Sequence, residues 1–419
     1  MSSSREERAA PTIPADLPDD RLLSPRSLRT GFELVLSRVR GGDLGSLPVL
    51  IGLVLIWTVF QALNPVFLSS ANLVNLTMQC AAIGTIALGI VLVLLVGEID
   101  LSVGSVAGLA AAVLAVGFVQ LQWNLVLALA AAVAAGALVG LLYGFLYTRF
   151  GLPSFVITLA GLLGFLGLQL WVLGATGSIN LPFDSWIVHF AQQMFLPAWA
   201  SYVVAVIAAG GYAWILTRRA QQRSAANLVS QSYLEIGIRG GALLVFLLVA
   251  AWYLNLSRGV GVMFLFFLLL VVIADFALTR TRWGRAVYAV GGSVEASRRA
   301  GIRVNRIYIS VFVFCSSLAA VGGILAAARL AAANQSSGAG DVNLNAIAAA
   351  VIGGASLFGG RGTAFAALLG IVVIQSISSG LTLLNLDSSV RFMVTGVVLI
   401  LAVIVDSLSR RKRAAVGRA

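Results

Sequence analysis

The chain has 419 residues, of which 59% are hydrophobic and 11% are charged. An average soluble chain is about 45–50% apolar and about 25% charged, so the few charges here cannot cover the apolar surface. The composition therefore indicates an integral membrane protein. The formal net charge is +12, and Lys412 is the only lysine among the 28 basic residues.

The scarcity of lysine and histidine excludes several kinds of site. A P-loop needs Gly-x-x-x-x-Gly-Lys-Ser/Thr, and Lys412 lies in a basic run with no glycine-rich loop before it, which excludes a Walker site. His189 is the only histidine and Cys80 and Cys315 are the only cysteines, too few for a zinc site of the usual spacing. We expect a chain that is not an enzyme and holds no cofactor or metal.

The chain divides into a polar tail at 1–45, predicted to be disordered, a membrane domain at 46–409 and a basic tail at 410–419. A helix needs about 20 apolar residues to cross a bilayer. The predicted spans are 48–67, 73–97, 102–121, 125–147, 154–174, 199–217, 240–256, 261–279, 307–328, 345–358, 364–384 and 390–408. The tenth is short and rich in glycine. We predict an all-α polytopic transmembrane helical bundle of about 10–12 spans, with broken or re-entrant segments.

The distribution of basic residues predicts the orientation in the membrane. With both termini inside, the outer loops hold only Arg258, Arg329 and Arg391 of the 28 basic residues. Cytoplasmic loops are enriched in Lys and Arg. We therefore predict that both termini are cytoplasmic, and that the basic charge does not bind nucleic acid.

Glycines recur at helical spacing in two neighbouring spans. They are Gly136, Gly140 and Gly144 in the fourth span and Gly161, Gly164 and Gly167 in the fifth. Small residues at this spacing let helix backbones approach closely inside a membrane. We expect both sets to pack against other helices, the alternative being the wall of a channel that slides.

Ionisable residues are nearly absent from the span centres, which argues against proton or cation coupling and favours an outside energy source. The exception is segment 97–105, Gly-Glu-Ile-Asp-Leu-Ser-Val-Gly-Ser, which places Glu98 and Asp100 between two apolar runs. Because burying a carboxylate in a membrane is costly, both are candidates for a functional site. The alternative is a turn in which Asp100 or Ser102 caps the next helix.

The loop at about 280–306 contains one short predicted helix with complete end signals. Ser293 is its N-cap, Glu295 lies in its first turn and Arg298 in its last, and Gly301 suits the left-handed position after the end. A helix of about seven residues is marginal alone in water. We expect it to dock another protein, the alternative being an amphipathic helix on lipid headgroups.

Four segments resemble, in chain order, those of the permease subunits of ABC importers for ribose, xylose and related monosaccharides. They are 97–105, 153–159 (Pro-Ser-Phe-Val-Ile-Thr-Leu), 285–302 and 353–362 (Gly-Gly-Ala-Ser-Leu-Phe-Gly-Gly-Arg-Gly). The resemblance covers about residues 70–408, and the long stretch 175–260 is more similar to the xylose-type permeases. Ala366 departs from the family pattern by replacing a frequent glycine, which loosens the packing expected there.

The resemblance implies roles for two sets of residues. The expected ATPase-coupling residues are Arg285, Tyr288, Gly291, Gly292, Ser293, Glu295, Arg298 and Gly301. The expected translocation-pathway residues are Glu98, Asp100, Ser102, Gly104, Ser154, Thr158, Gly353, Gly354 and Ser356. It also implies a separate ABC ATPase that uses the ATP, a periplasmic sugar-binding protein, a second copy of the permease in a homodimer, a monosaccharide substrate with xylose first, and a location in the lipid bilayer of a bacterial inner membrane.

Two alternatives remain. A permease of the same superfamily for branched-chain amino acids or nucleosides would share the fold and differ only in substrate. A stand-alone secondary transporter or channel would work without ATP or partners, and the scarcity of charges inside the spans argues against it.

Overall fold

The computed structural model describes residues 47–226 and 232–387, together with 389–390, 392–397, 400 and 404. The tails predicted at 1–45 and 410–419 lie outside the described residues, as does part of the twelfth predicted span.

The described residues form fourteen α-helices and two short strands. In chain order they are α1 (Leu47–Leu63), α2 (Ser70–Leu95), α3 (Val103–Ala115), α4 (Leu125–Phe150), α5 (Ser154–Leu173), β1 (Ser178–Asn180), α6 (Trp186–Gln192), α7 (Ala198–Ala225), α8 (Tyr233–Asn255), α9 (Val262–Arg280), α10 (Arg282–Gly292), α11 (Val294–Arg299), α12 (Val304–Leu330), β2 (Ala332–Asn334), α13 (Val342–Ile352) and α14 (Phe365–Leu383). A π-helical segment, Val116–Gln120, continues α3.

The predicted all-α membrane bundle is confirmed. Nine helices of the described chain are long and apolar enough to cross a membrane, and α1 and α13 are shorter apolar helices. The tenth predicted span is α13, which has only 11 residues and ends at Ile352. A helix of this length rises about 16 Å, half of the hydrocarbon thickness, as expected for a broken span.

Helix α2 forms the centre of the packing. Of its most apolar 18 residues 89% are buried, against 22% for α5, so α2 is enclosed by protein while α5 lies at the periphery. A Cβ added to Gly89 would lie 2.8 Å from the carbonyl oxygen of Cys315 on α12, so the two backbones touch. The absence of a side chain at Gly89 therefore sets the closest approach of α2 and α12.

The glycines of α4 pack against α12 as predicted. A Cβ at Gly136 would meet the carbonyl oxygen of Ser316, and one at Gly144 would lie 2.6 Å from the Cα of Ile309. At Gly140 the added atom would lie 2.6 Å from the Cα of Val313. Most of these neighbours are backbone atoms, so the small residues allow direct backbone contact.

The same prediction is wrong for two of the three glycines of α5. Gly161 does face a neighbour, because an added Cβ would overlap the phenolic oxygen of Tyr143. A Cβ at Gly164 or Gly167 would meet no described atom within 4 Å. Residues spaced by three drift around an α-helix, so Gly164 and Gly167 leave the face of α5 on which Gly161 packs. Most of α5 is exposed.

Helices α13 and α14 form a tightly packed pair. A Cβ at Gly353 would overlap the carbonyl oxygen of Ala366, and one at Gly370 would overlap that of Ala349. The looser packing expected at Ala366 is wrong, because Ala366 itself is 1% exposed and the partner position supplies the glycine.

The two ends of α12 define the two ends of the bundle. Its 27 residues rise about 40 Å, with α10 and α11 just before its first residue and β2 just after its last. Strand β2 pairs antiparallel with β1, with Ile179 opposite Ala333. We call these the α11 end and the β end.

Residues Tyr202–Ala250 form a separate compact unit, which comprises most of α7 and α8. Leu216, Ala220 and Ile236 form its small buried cluster. Glu235 and Arg239 pair at 2.6 Å one turn apart on α8.

Candidate functional site

Helix α10 is fastened to the bundle along its buried side. Val287 and Val290 are buried, and the indole nitrogen of Trp283 donates to Ser310 at 2.8 Å. The phenol of Tyr288 donates to the carbonyl oxygen of Gly362 at 2.8 Å. Burial raises the pKa of Tyr288, which keeps its hydroxyl a neutral donor. The helix therefore has an apolar anchored face and an opposite face that includes the exposed Arg285.

Helix α11 has the predicted ends. Ser293 accepts a hydrogen bond from the amide of Ala296 at 3.3 Å, and Gly301 has a φ of 79°. Glu295 and Arg298 lie 3.8 Å apart with 72% and 59% of their side chains exposed. The prediction of this helix is confirmed, whereas α10 before it was not predicted. We call α10 and α11 together the α10–α11 platform.

The eight predicted coupling residues divide into two groups. Those with exposed side chains or backbone are Arg285, Gly292, Ser293, Glu295, Arg298 and Gly301. Tyr288 and Gly291 instead face the bundle. A Cβ at Gly291 would overlap the carbonyl oxygen of Leu95 and lie 2.6 Å from the amide nitrogen of Gly360. These two residues hold the platform in place, and the other six form its free surface.

Gly291 touches a loop built from glycines, residues 353–362, which we call the glycine loop. Four of its glycines have φ between 71° and 144°, which other residues rarely adopt; they are Gly354, Gly359, Gly360 and Gly362. The amide of Gly360 donates to the carbonyl oxygen of Leu95 at 2.8 Å, and the amide of Ser356 to that of Arg361 at 3.0 Å. The loop thus joins the end of α13, the end of α2 and the platform.

Asp100 lies in a closed polar network. Only 1% of the residue is exposed, and one carboxylate oxygen accepts from the amide of Ser102 at 2.8 Å and from its hydroxyl at 2.7 Å. Tyr143 donates to the Ser102 hydroxyl at 2.7 Å, and the thiol of Cys315 lies 3.8 Å from the other oxygen. The Ser102 side chain makes no capping bond to α3. This network ties the start of α3 to α4 and α12.

Glu98 is more accessible. It accepts a hydrogen bond from Tyr147 at 2.5 Å and lines a cavity of about 550 Å³ at the α11 end. Ser154, Arg298 and Tyr308 line the same cavity. The structure therefore brings two of the predicted pathway residues, Glu98 and Ser154, together with a predicted coupling residue, Arg298.

The remaining pathway candidates make hydrogen bonds with the backbone or allow backbone segments to approach closely. The Thr158 hydroxyl donates to the carbonyl oxygen of Ser154 at 2.9 Å. The amide of Gly104 donates to the side chain of Asn343, and a Cβ there would overlap the carbonyl oxygen of Gly338. Gly353, Gly354 and Ser356 belong to the glycine loop. The structure thus spreads the nine candidates over four places: the Asp100 network, the cavity at the α11 end, the contact of Gly104 with Asn343, and the glycine loop.

A second cavity of about 470 Å³ lies toward the β end, between α2, α12, α13 and α14. Its polar lining includes Gln79, Arg329, Asp341, Asn345 and Gln375. None of the nine predicted pathway residues is among the described residues that line it. The predicted pathway set left this lining out because it was built on the acidic and glycine-rich segments, and the signal that could have found it is the pair of glutamines inside apolar spans.

The segment between β2 and α13 closes this cavity. Asn334 accepts from the hydroxyls of Ser336 and Ser337 at 2.8 and 3.2 Å, which holds the turn together. Gln169 on α5 donates to the carbonyl oxygens of Asn334 and Ser337, both at 2.9 Å. The non-helical backbone is therefore satisfied by protein groups, as backbone at membrane depth must be.

Residues 72–403 match the family model described as the permease component of the branched-chain amino acid transport system. The match spans more than half of the chain. The chain belongs to this family. The resemblance to ABC importer permeases is thereby confirmed, and with nine long apolar helices in the described part the chain is a multi-pass membrane protein.

Relatives align over most of their length. The xylose transport system permease protein XylH of Escherichia coli K12 is 34% identical over 346 residues, 83% of this chain and 87% of the relative. The XylH of Haemophilus influenzae is 33% identical over 367 residues, 87% and 96%. The ribose import permease protein RbsC of E. coli K12 is 32% identical over 358 residues, 85% and 92%. None of the solved structures matches the chain.

Proposed function

We propose that this chain is the membrane permease subunit of an ABC importer that carries a monosaccharide, with xylose as the first candidate, across the bacterial inner membrane. The relatives named as xylose and ribose permeases align over more than four fifths of the chain and support a sugar substrate. The family description names branched-chain amino acids, so an amino acid permease of the same fold is the second candidate.

The observation that carries the coupling role is the α10–α11 platform. Its inner side is fixed to the bundle by Tyr288 and Gly291, and its outer side exposes Arg285, Glu295 and Arg298. A free charged surface that is rigidly connected to the bundle is suited to receive force from a second protein. We assign this surface to the docking of a separate ATPase, which hydrolyses the ATP.

The proposed orientation determines on which side of the membrane the remaining partners would act. The positive-inside pattern favours a cytoplasmic α11 end and cytoplasmic termini, which leaves the β end facing the periplasm. A periplasmic sugar-binding protein would deliver the substrate there, and a second copy of the chain would complete the translocation path. Glu98 and Ser154, which share a cavity with Arg298, would then lie at the inner exit.

The docking prediction is tested by reversing charge on α11. With the chain reconstituted together with its ATPase and binding protein, R298E/R299E should lower ATP-driven xylose uptake and co-purification with the ATPase severalfold. The control R218E/R219E makes the same change of charge at two exposed positions of α7 and should leave both near wild type. Equal loss in both variants would contradict the docking role. Uptake without ATP or partners would overturn the importer itself.

A second prediction concerns Glu98. The substitution Glu98→Gln keeps an acceptor for the Tyr147 hydroxyl but removes the negative charge from the inner cavity. We expect uptake to fall severalfold while the amount of protein in the membrane stays constant. The control Glu235→Gln lies in the Tyr202–Ala250 unit and should change neither. Wild-type uptake in Glu98→Gln would show that the charge of Glu98 has no role in transport and that the motif is a structural turn.

A further inference from the structure

The cavity toward the β end contains polar groups that the protein leaves unused. Gln375 is 5% exposed and lines the cavity, yet its side-chain amide has no hydrogen-bond partner among the described residues. The half-buried amide of Gln79 lines the same space and also lacks one in the described chain. Both amides line the cavity, so a ligand that fills it would have to pair with them or leave them unsatisfied at a cost in free energy. The two amides therefore favour a ligand that carries hydrogen-bonding groups.

Gln169 provides a partial contrast. Its side chain is fully buried, and its amide nitrogen donates to two carbonyl oxygens at 2.9 Å, while its Oε1 has no partner among the described residues. Its nitrogen is thus paired by protein. Gln375 differs because it lines the cavity and neither its amide nitrogen nor its oxygen is paired by the described residues.

The size and chemistry of the cavity suit a small polar ligand. Its other walls are small residues such as Ala107, Ala326 and Gly323, which leave about 470 Å³ open. Amides both donate and accept hydrogen bonds, as sugar hydroxyls do. Arg329 and Asp341 contribute opposite charges, so the lining has no net charge that would favour an ion.

We propose that this cavity is a monosaccharide-binding site within the permease, with Gln375 and Gln79 as direct ligands of sugar hydroxyls. This inference rests on the proposed function for the class of ligand. It goes beyond that function by placing a substrate site on α2 and α14. None of the nine residues first expected to line the path lines this cavity, although Gly104 contacts Gly338 in its wall.

The test measures access to the cavity directly. Cys80 and Cys315 are buried, so a cysteine introduced as Ser378→Cys, in the cavity lining, can be labelled selectively with a membrane-impermeant thiol reagent. The full chain is placed in lipid nanodiscs without ATPase or binding protein. Xylose at about twice its Kd should slow the labelling about threefold, because the fraction of protein without ligand falls by the factor 1 + [L]/Kd. Labelling of the exposed control Ser257→Cys should be insensitive to xylose.

The two buried glutamines provide a matched pair. In the Ser378→Cys background, Gln375→Leu should shift the xylose dependence of protection about three- to tenfold to higher concentration. The thermal midpoint of Gln375→Leu should not fall, because no protein bond is lost. Gln169→Leu should lower the midpoint, since it removes two donated hydrogen bonds.

Three outcomes would overturn the site. They are labelling of Ser378→Cys that xylose does not slow, protection by leucine in place of xylose, and a xylose dependence that Gln375→Leu leaves unchanged. Failure of the proposed function is separate, because it shows as loss of ATP-driven uptake in the reconstituted importer. Uptake that persists without protection of Ser378→Cys rejects only the cavity.

Discussion

Replacement of Gly291 by alanine is expected to abolish most ATP-driven uptake while leaving the chain in the membrane. The new Cβ would overlap the carbonyl oxygen of Leu95 and lie 2.6 Å from the amide nitrogen of Gly360. Both are backbone atoms, so no change of rotamer relieves the overlap. Overpacking of this kind costs about 1–3 kcal/mol, which as a coupling free energy corresponds to a factor of about 5–150. In the Gly291→Ala variant the platform would therefore have to move away from the glycine loop.

A glycine outside the docking surface provides the control. Gly241 lies in α8, is exposed, and an added Cβ would meet no described atom within 4 Å. Gly241→Ala should therefore leave uptake and ATPase stimulation near wild type, although both variants add one methyl group to a helix. ATPase activity that stays coupled to sugar in Gly291→Ala would show that the platform does not act through the glycine loop.

A large loss of stability is expected at Gly140. Alanine there would overlap the carbonyl oxygen of Phe312 and lie 2.6 Å from the Cα of Val313, so α4 and α12 would have to separate. Tight packing is what holds membrane helices together, because lipid supplies no hydrophobic drive. We expect Gly140→Ala to be destabilised by about 1–3 kcal/mol, measured as a lowered thermal midpoint of the purified protein in detergent.

Gly164 is the matched control for that measurement. It lies in the middle of α5, and an added Cβ would meet no described atom within 4 Å. Gly164→Ala should keep the thermal midpoint or raise it slightly, since alanine favours helix over glycine. Equal midpoints for the two variants would show that the α4–α12 contact does not limit stability.

The fold was predictable because hydropathy alone identifies membrane spans. Runs of apolar residues such as 73–97 and 154–174 correspond to α2 and α5. The caps of α11 were also predictable, because Ser293 and Gly301 act on their own neighbours and need no distant partner. Local rules of this kind can be read from sequence.

Features that depend on distant contacts were not predictable. The glycines of α4 recur every four residues and those of α5 every three, but the contacts of a given glycine, Gly140 with α12 and Gly164 with no described atom, depend on tertiary packing. The cavity toward the β end joins residues as far apart as Gln79 and Gln375, which lie on different helices. The charges in its lining, Arg329 and Asp341, lie on different elements, and its unpaired groups are neutral amides, so neither forms a motif in the sequence.

Helix α13 connects the cavity toward the β end with the glycine loop. Asn345 in its second turn lines the cavity, and after its last residue, Ile352, the chain enters the glycine loop that touches Gly291. If the helix shifts as a rigid rod, occupancy at one end and attachment at the other are thermodynamically linked. Linkage is reciprocal, so a sugar that is bound more tightly when the ATPase is attached must strengthen that attachment by the same factor. The 11 residues of α13 would then couple sugar binding to ATPase binding without any direct contact between the sugar and the ATPase.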